Sequence, residues 1–109
     1  MKKIENKEQF NSFINENKGE VSVVKFGATW CTPCRVLENT INSLTLDETK
    51  GVYFAEVDAD EADEELLEEY TIRNIPVLLF FKDGLLSKRE MGLKTKAELL
   101  NIINEIKNK

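Results

Sequence analysis

Two cysteines, Cys31 and Cys34, are the only thiols in this chain of 109 residues, and they stand three positions apart in Trp30-Cys31-Thr32-Pro33-Cys34. A disulfide between them closes a very short loop. It restricts the unfolded chain little and is a poor staple for a fold. Chemistry is the better use of the pair. Pro33 suits the first turn of a helix, where its missing N–H costs nothing, and Val36, Leu37, Ile41 and Leu44 continue that helix on one apolar face. Thiols at i and i+3 of a helix start lie on one face, one turn apart, within reach of a disulfide. Cys31, at the N-terminus, would meet free N–H groups and the positive end of the helix dipole, and both favour a thiolate. Cys34 lies a turn further in and is more covered. The expected division of labour is attack on a substrate disulfide by Cys31, then attack on Cys31 by Cys34 to release the reduced substrate. Pro33 would stiffen the turn. Trp30 is either an aromatic shield beside the pair or a core residue packed on a sheet.

Other chemistries are narrowed by what the chain lacks. There is no histidine, which removes Ser-His-Asp and Cys-His sites and zinc sites built on His. A Cys-x-x-Cys pair can also be half of a zinc or iron–sulfur site, but no third cysteine is present, so a metal would have to be shared across a dimer. No metal and no cofactor is expected. The net charge of −5 and the lack of a basic face argue against nucleic acid. Acidity gathers between Glu56 and Glu69, without Lys or Arg. This is a solvated face or, more weakly, a docking surface for a basic partner. The start, Met1-Lys2-Lys3-Ile4-Glu5-Asn6-Lys7, leads into no apolar run, so no secretory signal is expected. No stretch approaches the roughly 20 apolar residues of a membrane span. The cytoplasm is the expected compartment, where close cysteine pairs are more often catalytic or metal-binding than structural.

The elements that must position the pair follow from periodicity. Asn6 with Gln9 reads as a capping box for a first helix that carries Phe10, Phe13 and Ile14 to about Asn17. Val21 to Gly27 reads as a core strand with Lys25 inside it, and the helix of the cysteine pair follows. Val52 to Val57 is a second core strand, carrying Glu56. Ala62 to Tyr70 is a short acidic helix packing through Leu66, Leu67 and Tyr70. Pro76 opens the buried strand Val77 to Phe81. Asp83-Gly84 turns the chain into a returning strand, Leu85 to Met91. Thr95 and Glu98 form a second capping box before the stripe Leu99, Ile102, Ile103, Ile106. The expectation is one α/β domain over 1–109. Its mixed four-stranded sheet would have three early strands of parallel type, an antiparallel late hairpin and helices on both faces.

Trp30-Cys31-Thr32-Pro33-Cys34 after an apolar strand, Ile75-Pro76 before another and Gly92 near the end together resemble the thioredoxin family, over about Phe10 to Ile106. The resemblance implies the thioredoxin fold and a protein-disulfide reductase. It implies disulfide-containing protein substrates, a thioredoxin-reductase-like electron donor and a monomer. Pro76 would be a cis proline facing the disulfide, leaving the backbone of Ile75 free to pair with an extended substrate segment. Gly92 would let the substrate chain approach closely. Trp30, Ile75 and Gly92 would line the apolar groove around Cys31, joined by Thr32, Pro33 and Pro76. From local sequence alone, Pro76 would be a plain strand start and Gly92 a turn glycine.

Three departures from the family pattern stand out. Thr32 replaces the usual glycine between the cysteines, at a position that tunes their redox balance. Gly27 replaces a usual aromatic residue, and looser packing near the site is expected. Lys25 stands where the family buries an aspartate, and Glu56 stands where its lysine partner is usual, as though the charges had been exchanged. A swapped pair keeps neutrality and gives each charge a partner. The expectation is that Glu56, alone or through water, moves the Cys34 proton while Lys25 favours the Cys34 thiolate. The alternatives are a purely structural pair, or a Lys25 that snorkels to solvent. Other functions are an oxidant or isomerase of more oxidising poise, and a non-enzymatic binding module on the same fold.

Overall fold

The computed structural model describes residues 1–109. Its elements are β1 (Lys2–Ile4), α1 (Lys7–Glu16), β2 (Val21–Gly27), α2 (Thr32–Asn42), β3 (Val52–Asp58), α3 (Glu64–Glu69), β4 (Val77–Lys82), β5 (Leu85–Met91) and α4 (Lys96–Lys107). The sheet has five strands in the order β1-β3-β2-β4-β5, one more than the expected four. The extra strand, β1, has two exposed lysines and a single buried residue, Ile4. It has no alternation to read, and is a strand because Lys2 to Ile4 pair in parallel with Ala55 to Val57. The third parallel strand is therefore β1, whereas β4 runs antiparallel to β2. The link through α3 returns the chain on the far side of β2, reversed, and the β4–β5 hairpin continues from there. No helix is long and apolar enough to cross a membrane.

Helices cover both faces, as expected, and strand alternation divides the core in two. Val24 and Phe26 of β2 and Val77, Leu79 and Phe81 of β4 meet Phe10, Phe13 and Ile14 of α1 and Leu66 of α3. The opposite parity, Val21, Val23, Leu78 and Phe80, meets Leu37 and Ile41 of α2 and Leu99, Ile102, Ile103 and Ile106 of α4. Lys25 has this second parity, so it points under α2. Both halves are apolar on two sides of one strand, which is why β2 and β4 read as continuous runs instead of alternating ones.

The helix termini follow their sequences with small differences. Asn6 caps α1 by accepting from the Gln9 N–H at 2.8 Å, but Gln9 reaches back to the N–H of Glu5, at 2.7 Å, not to that of Asn6. Thr95 and Glu98 form the full reciprocal box at α4. The acidic helix is shorter than Ala62–Tyr70 because Asp63 is its N-cap. In α2 the inward residues are Cys34, Leu37 and Ile41, and Val36 faces solvent.

Candidate redox site

The site stands where β2 gives way to α2. Cys31 is the N-cap of α2, with extended backbone, and its Sγ accepts from the Cys34 N–H at 3.3 Å. The two cysteines are joined in a disulfide with Cα atoms 5.2 Å apart. Both are buried, Cys34 the more deeply. A free sulfur at the cap would lie against the N–H groups of the first turn and the positive helix end, an arrangement that stabilises negative charge. Thr32 and Pro33, between the cysteines, are exposed, with Pro33 in the first helical turn.

Around the disulfide the chain comes together from distant segments. Ile75 packs on the small cluster of Ala28, Cys31 and Cys34. The Ile75–Pro76 bond is cis. The Ile75 N–H and C=O make no hydrogen bond within the chain, while the Pro76 C=O accepts from the Gly92 N–H at 2.9 Å. Gly92, at φ +80°, has open space where a Cβ would lie. Trp30 is 69% exposed, which excludes the core alternative. Its indole N–H donates to Asp60 at 2.6 Å, fixing the ring to the loop after β3. Asp60 is not identifiable from the motif, since its partner lies thirty residues away. The segment leading to Ile75 is tied by Arg89 of β5, whose guanidinium donates to the carbonyls of Tyr70 and, at 2.8 Å, of Thr71.

Behind Cys34 two expectations are corrected. Gly27 does not loosen the site. A Cβ on it would meet the Cys34 Cβ at 3.1 Å and Sγ at 3.2 Å, a few tenths of an ångström inside ordinary contact, so at this glycine helix and strand are already closely apposed. Lys25, only 6% exposed, is paired with Glu38 of α2 at 3.6 Å, and not with Glu56. Glu56 is Lys25's neighbour in the parallel β2–β3 register and lines the same cleft, but it forms no ion pair. The lysine stem rises from the sheet toward the helix above it, where Glu38, four residues after Cys34, is the carboxylate in reach. This cleft, of about 230 Å³, is bordered by Lys25, Gly27, Cys34, Arg35, Glu38 and Glu56 among others.

Chemically, the arrangement provides one sulfur at a helix cap, a second directly behind it, an apolar rim with unpaired backbone groups, and a cleft with charged walls beneath the second sulfur. Those are the parts needed for disulfide exchange with an extended chain. The family model described as Thioredoxin matches residues 1–105. A thioredoxin of Mycoplasmoides gallisepticum is 37% identical over 103 residues, covering 94% of this chain and 99% of that protein. One from Chlamydia pneumoniae is 38% identical, over 96% and 98%. The crystal structure of Fasciola hepatica thioredoxin superposes with a TM-score of 0.86 at 34% identity, over 96% of this chain and 98% of that one.

Proposed function

The chain belongs to the thioredoxin family and is a thiol–disulfide oxidoreductase, and from that premise we propose that Cys31 is its attacking thiol and Cys34 its resolving thiol. The observation that carries the assignment is the position of Cys31 at the α2 cap, beside the rim of Trp30 and Ile75, with Cys34 more deeply buried behind it. The Cys31 thiolate attacks a substrate sulfur. One Cys31–substrate bond forms, one substrate disulfide breaks, and the first substrate thiol leaves. Cys34 then attacks Cys31, which forms the intramolecular disulfide and expels the second substrate thiol. Two electrons pass from the dithiol to the substrate.

The groove gives this reaction its substrate class. The free N–H and C=O of Ile75 suit the backbone of an extended substrate segment, Gly92 leaves it room, and Trp30, Thr32, Pro33 and Pro76 border it. The reacting pair and the whole rim lie within one chain, and we propose that it acts as a monomer. Return to the dithiol requires a donor of two electrons, a role for a thioredoxin-reductase-like partner in a reducing compartment such as the cytoplasm. Glu56, on the cleft beneath Cys34, carries the resolving proton directly or through water, and Lys25 favours the Cys34 thiolate.

The test is reduction of insulin disulfides with a dithiol as electron source. Wild type accelerates it, Cys31→Ser abolishes the acceleration, and Cys34→Ser accumulates a mixed disulfide through Cys31 that mass spectrometry detects. A mixed disulfide that accumulates through Cys34 in Cys31→Ser, with none in Cys34→Ser, would reverse the assignment. Glu56→Gln slows resolution several-fold, and an unchanged rate across pH removes Glu56 from the proton path.

A further inference from the structure

Lys25 is the one charged side chain buried in the core, and burying an ammonium is costly unless a partner and some solvent remain. It has both. Its sole ion-pair partner is Glu38 at 3.6 Å, a carboxylate that is itself partly exposed, and it borders the cleft beneath Cys34. The position of Gly27 bounds how far the ammonium stem is from the sulfur. One point, the site of an added Cβ, lies 3.2 Å from Cys34 Sγ and 3.8 Å from Lys25 Cε. Sulfur and Cε are thus at most about 7 Å apart, and the ammonium, one bond further on, lies within about 8.5 Å, comparable to the screening length of about 8 Å at physiological salt, which weakens a buried charge less than an exposed one. Glu38 follows Cys34 by four residues on α2, so sulfur and carboxylate share a helix face.

We propose that Lys25 and Glu38 form a counterpoised pair that sets the reactivity of Cys34: the ammonium draws out the resolving thiolate, and Glu38 holds part of that charge back. Both act as positioning residues, since neither reacts. The inference rests on the dithiol cycle above and adds Glu38, with its sign, to that cycle. Cys34 gives its proton to Glu56, directly or through water, its sulfur bonds to Cys31, and the substrate sulfur leaves with the electron pair of the broken bond. Other charges border the same cleft. Lys3 of β1 is engaged by Glu61 at 3.6 Å. Arg35 is exposed on α2, and Glu56 and Asp58 of β3 are half-buried; none of these three is in an ion pair.

Opposite signs are the consequence. Removing the cation disfavours the thiolate, whereas neutralising Glu38 leaves the full ammonium charge to act on it and removes a nearby anion as well. A pair with only a structural role would move stability in one direction for both variants and leave the sulfur's titration unchanged. Lys25→Met keeps the volume of the stem, and replacing a buried charge with a well-packed apolar side chain is often neutral for stability.

The experiment mixes reduced protein with 5,5′-dithiobis(2-nitrobenzoate) in a stopped-flow instrument and follows thionitrobenzoate release across pH. The first equivalent reports attack by Cys31, and the second reports resolution by Cys34. Lys25→Met should raise the pH midpoint of the second phase by about one unit, and Glu38→Gln should lower it by a smaller amount, by the charge rules for a neighbouring group. The first phase should stay near wild type in both. Midpoints that move together, or not at all, overturn the proposal. If Lys25→Met does not fold, the downward shift in Glu38→Gln decides alone. Absence of a first phase in wild type would instead refute the dithiol cycle, a distinct failure.

Discussion

Gly27→Ala tests whether the close approach of β2 to α2 holds the disulfide in place. The added methyl would stand 3.1 Å from Cys34 Cβ and 3.2 Å from its Sγ, where unstrained carbon contacts are about 3.5–4.0 Å. Cys34 is buried and its sulfur is tied to Cys31, so it cannot rotate away while oxidised. The first turn of α2 must lift from the strand instead. Overpacking of this kind costs about 1–3 kcal/mol. Reduction frees the Cys34 side chain to turn, so the dithiol form should lose less. Each 1.4 kcal/mol of that difference makes the disulfide about 30 mV easier to reduce, for a two-electron couple. Urea unfolding of the oxidised protein and of the protein in excess dithiol measures both costs. Gly19→Ala is the control, because its φ of +90° carries a backbone penalty but nothing lies within 4 Å of the new Cβ. It should lose about 1 kcal/mol equally in both redox states. A Gly27→Ala protein whose oxidised form keeps wild-type stability within about 0.5 kcal/mol, or whose reduced form suffers more, would refute the argument from distance.

Two further substitutions probe how the rest of the fold is held. The Lys82 ammonium donates to the carbonyls of Ile106, Lys107 and Lys109, at 3.2, 3.0 and 3.1 Å, and so closes the C-terminus of α4. Lys82→Met should cost about 1–2 kcal/mol in urea unfolding, as a cation at a helix C-terminus with charge-assisted bonds implies; no loss would mean that water replaces it freely. The Tyr70 hydroxyl is pushed up from 10.0 to about 12, chiefly by burial and secondly by the charge of Glu69. Between those two pH values the unfolded chain gives up this proton and the folded chain keeps it, so stability falls as pH rises through the window. Tyr70→Phe, which keeps the ring contacts with Phe10 and Phe81, should flatten that alkaline decline, and an identical decline in both proteins would exclude Tyr70 as its source.

Elements whose signal is local are legible in the amino-acid sequence. The capping box at Thr95, the apolar stripe of α4, the Asp83-Gly84 turn and the unbroken run of β4 each declare themselves within a few residues. So does the cysteine pair at the start of α2, because spacing and Pro33 define its geometry. Boundaries that depend on a partner are not legible in this way. β1 is a strand only because β3 lies beside it, and the antiparallel direction of β4 is decided by how its connection crosses the sheet. Residues far apart in sequence share the same limit: Asp60 under the Trp30 indole and Arg89 on the loop before Ile75 carry no local mark.

Residue types and spacing are enough to say which atoms can do the chemistry: two thiols, no imidazole, a stiff turn and a helix that begins between them. It also marked Lys25 as a charge out of place in an apolar strand. Tertiary structure alone decided what that charge meets. The family pattern suggests Glu56, its neighbour across the sheet, but a long side chain on the α2-facing side of β2 reaches the helix above it more readily than the adjacent strand. Glu38 is there because helical periodicity puts it on the same face as Cys34 and packing lays that face over Lys25. Gly27 likewise has no side chain to reveal its role, and the 3.1 Å approach that it permits exists only once helix and strand are pressed together.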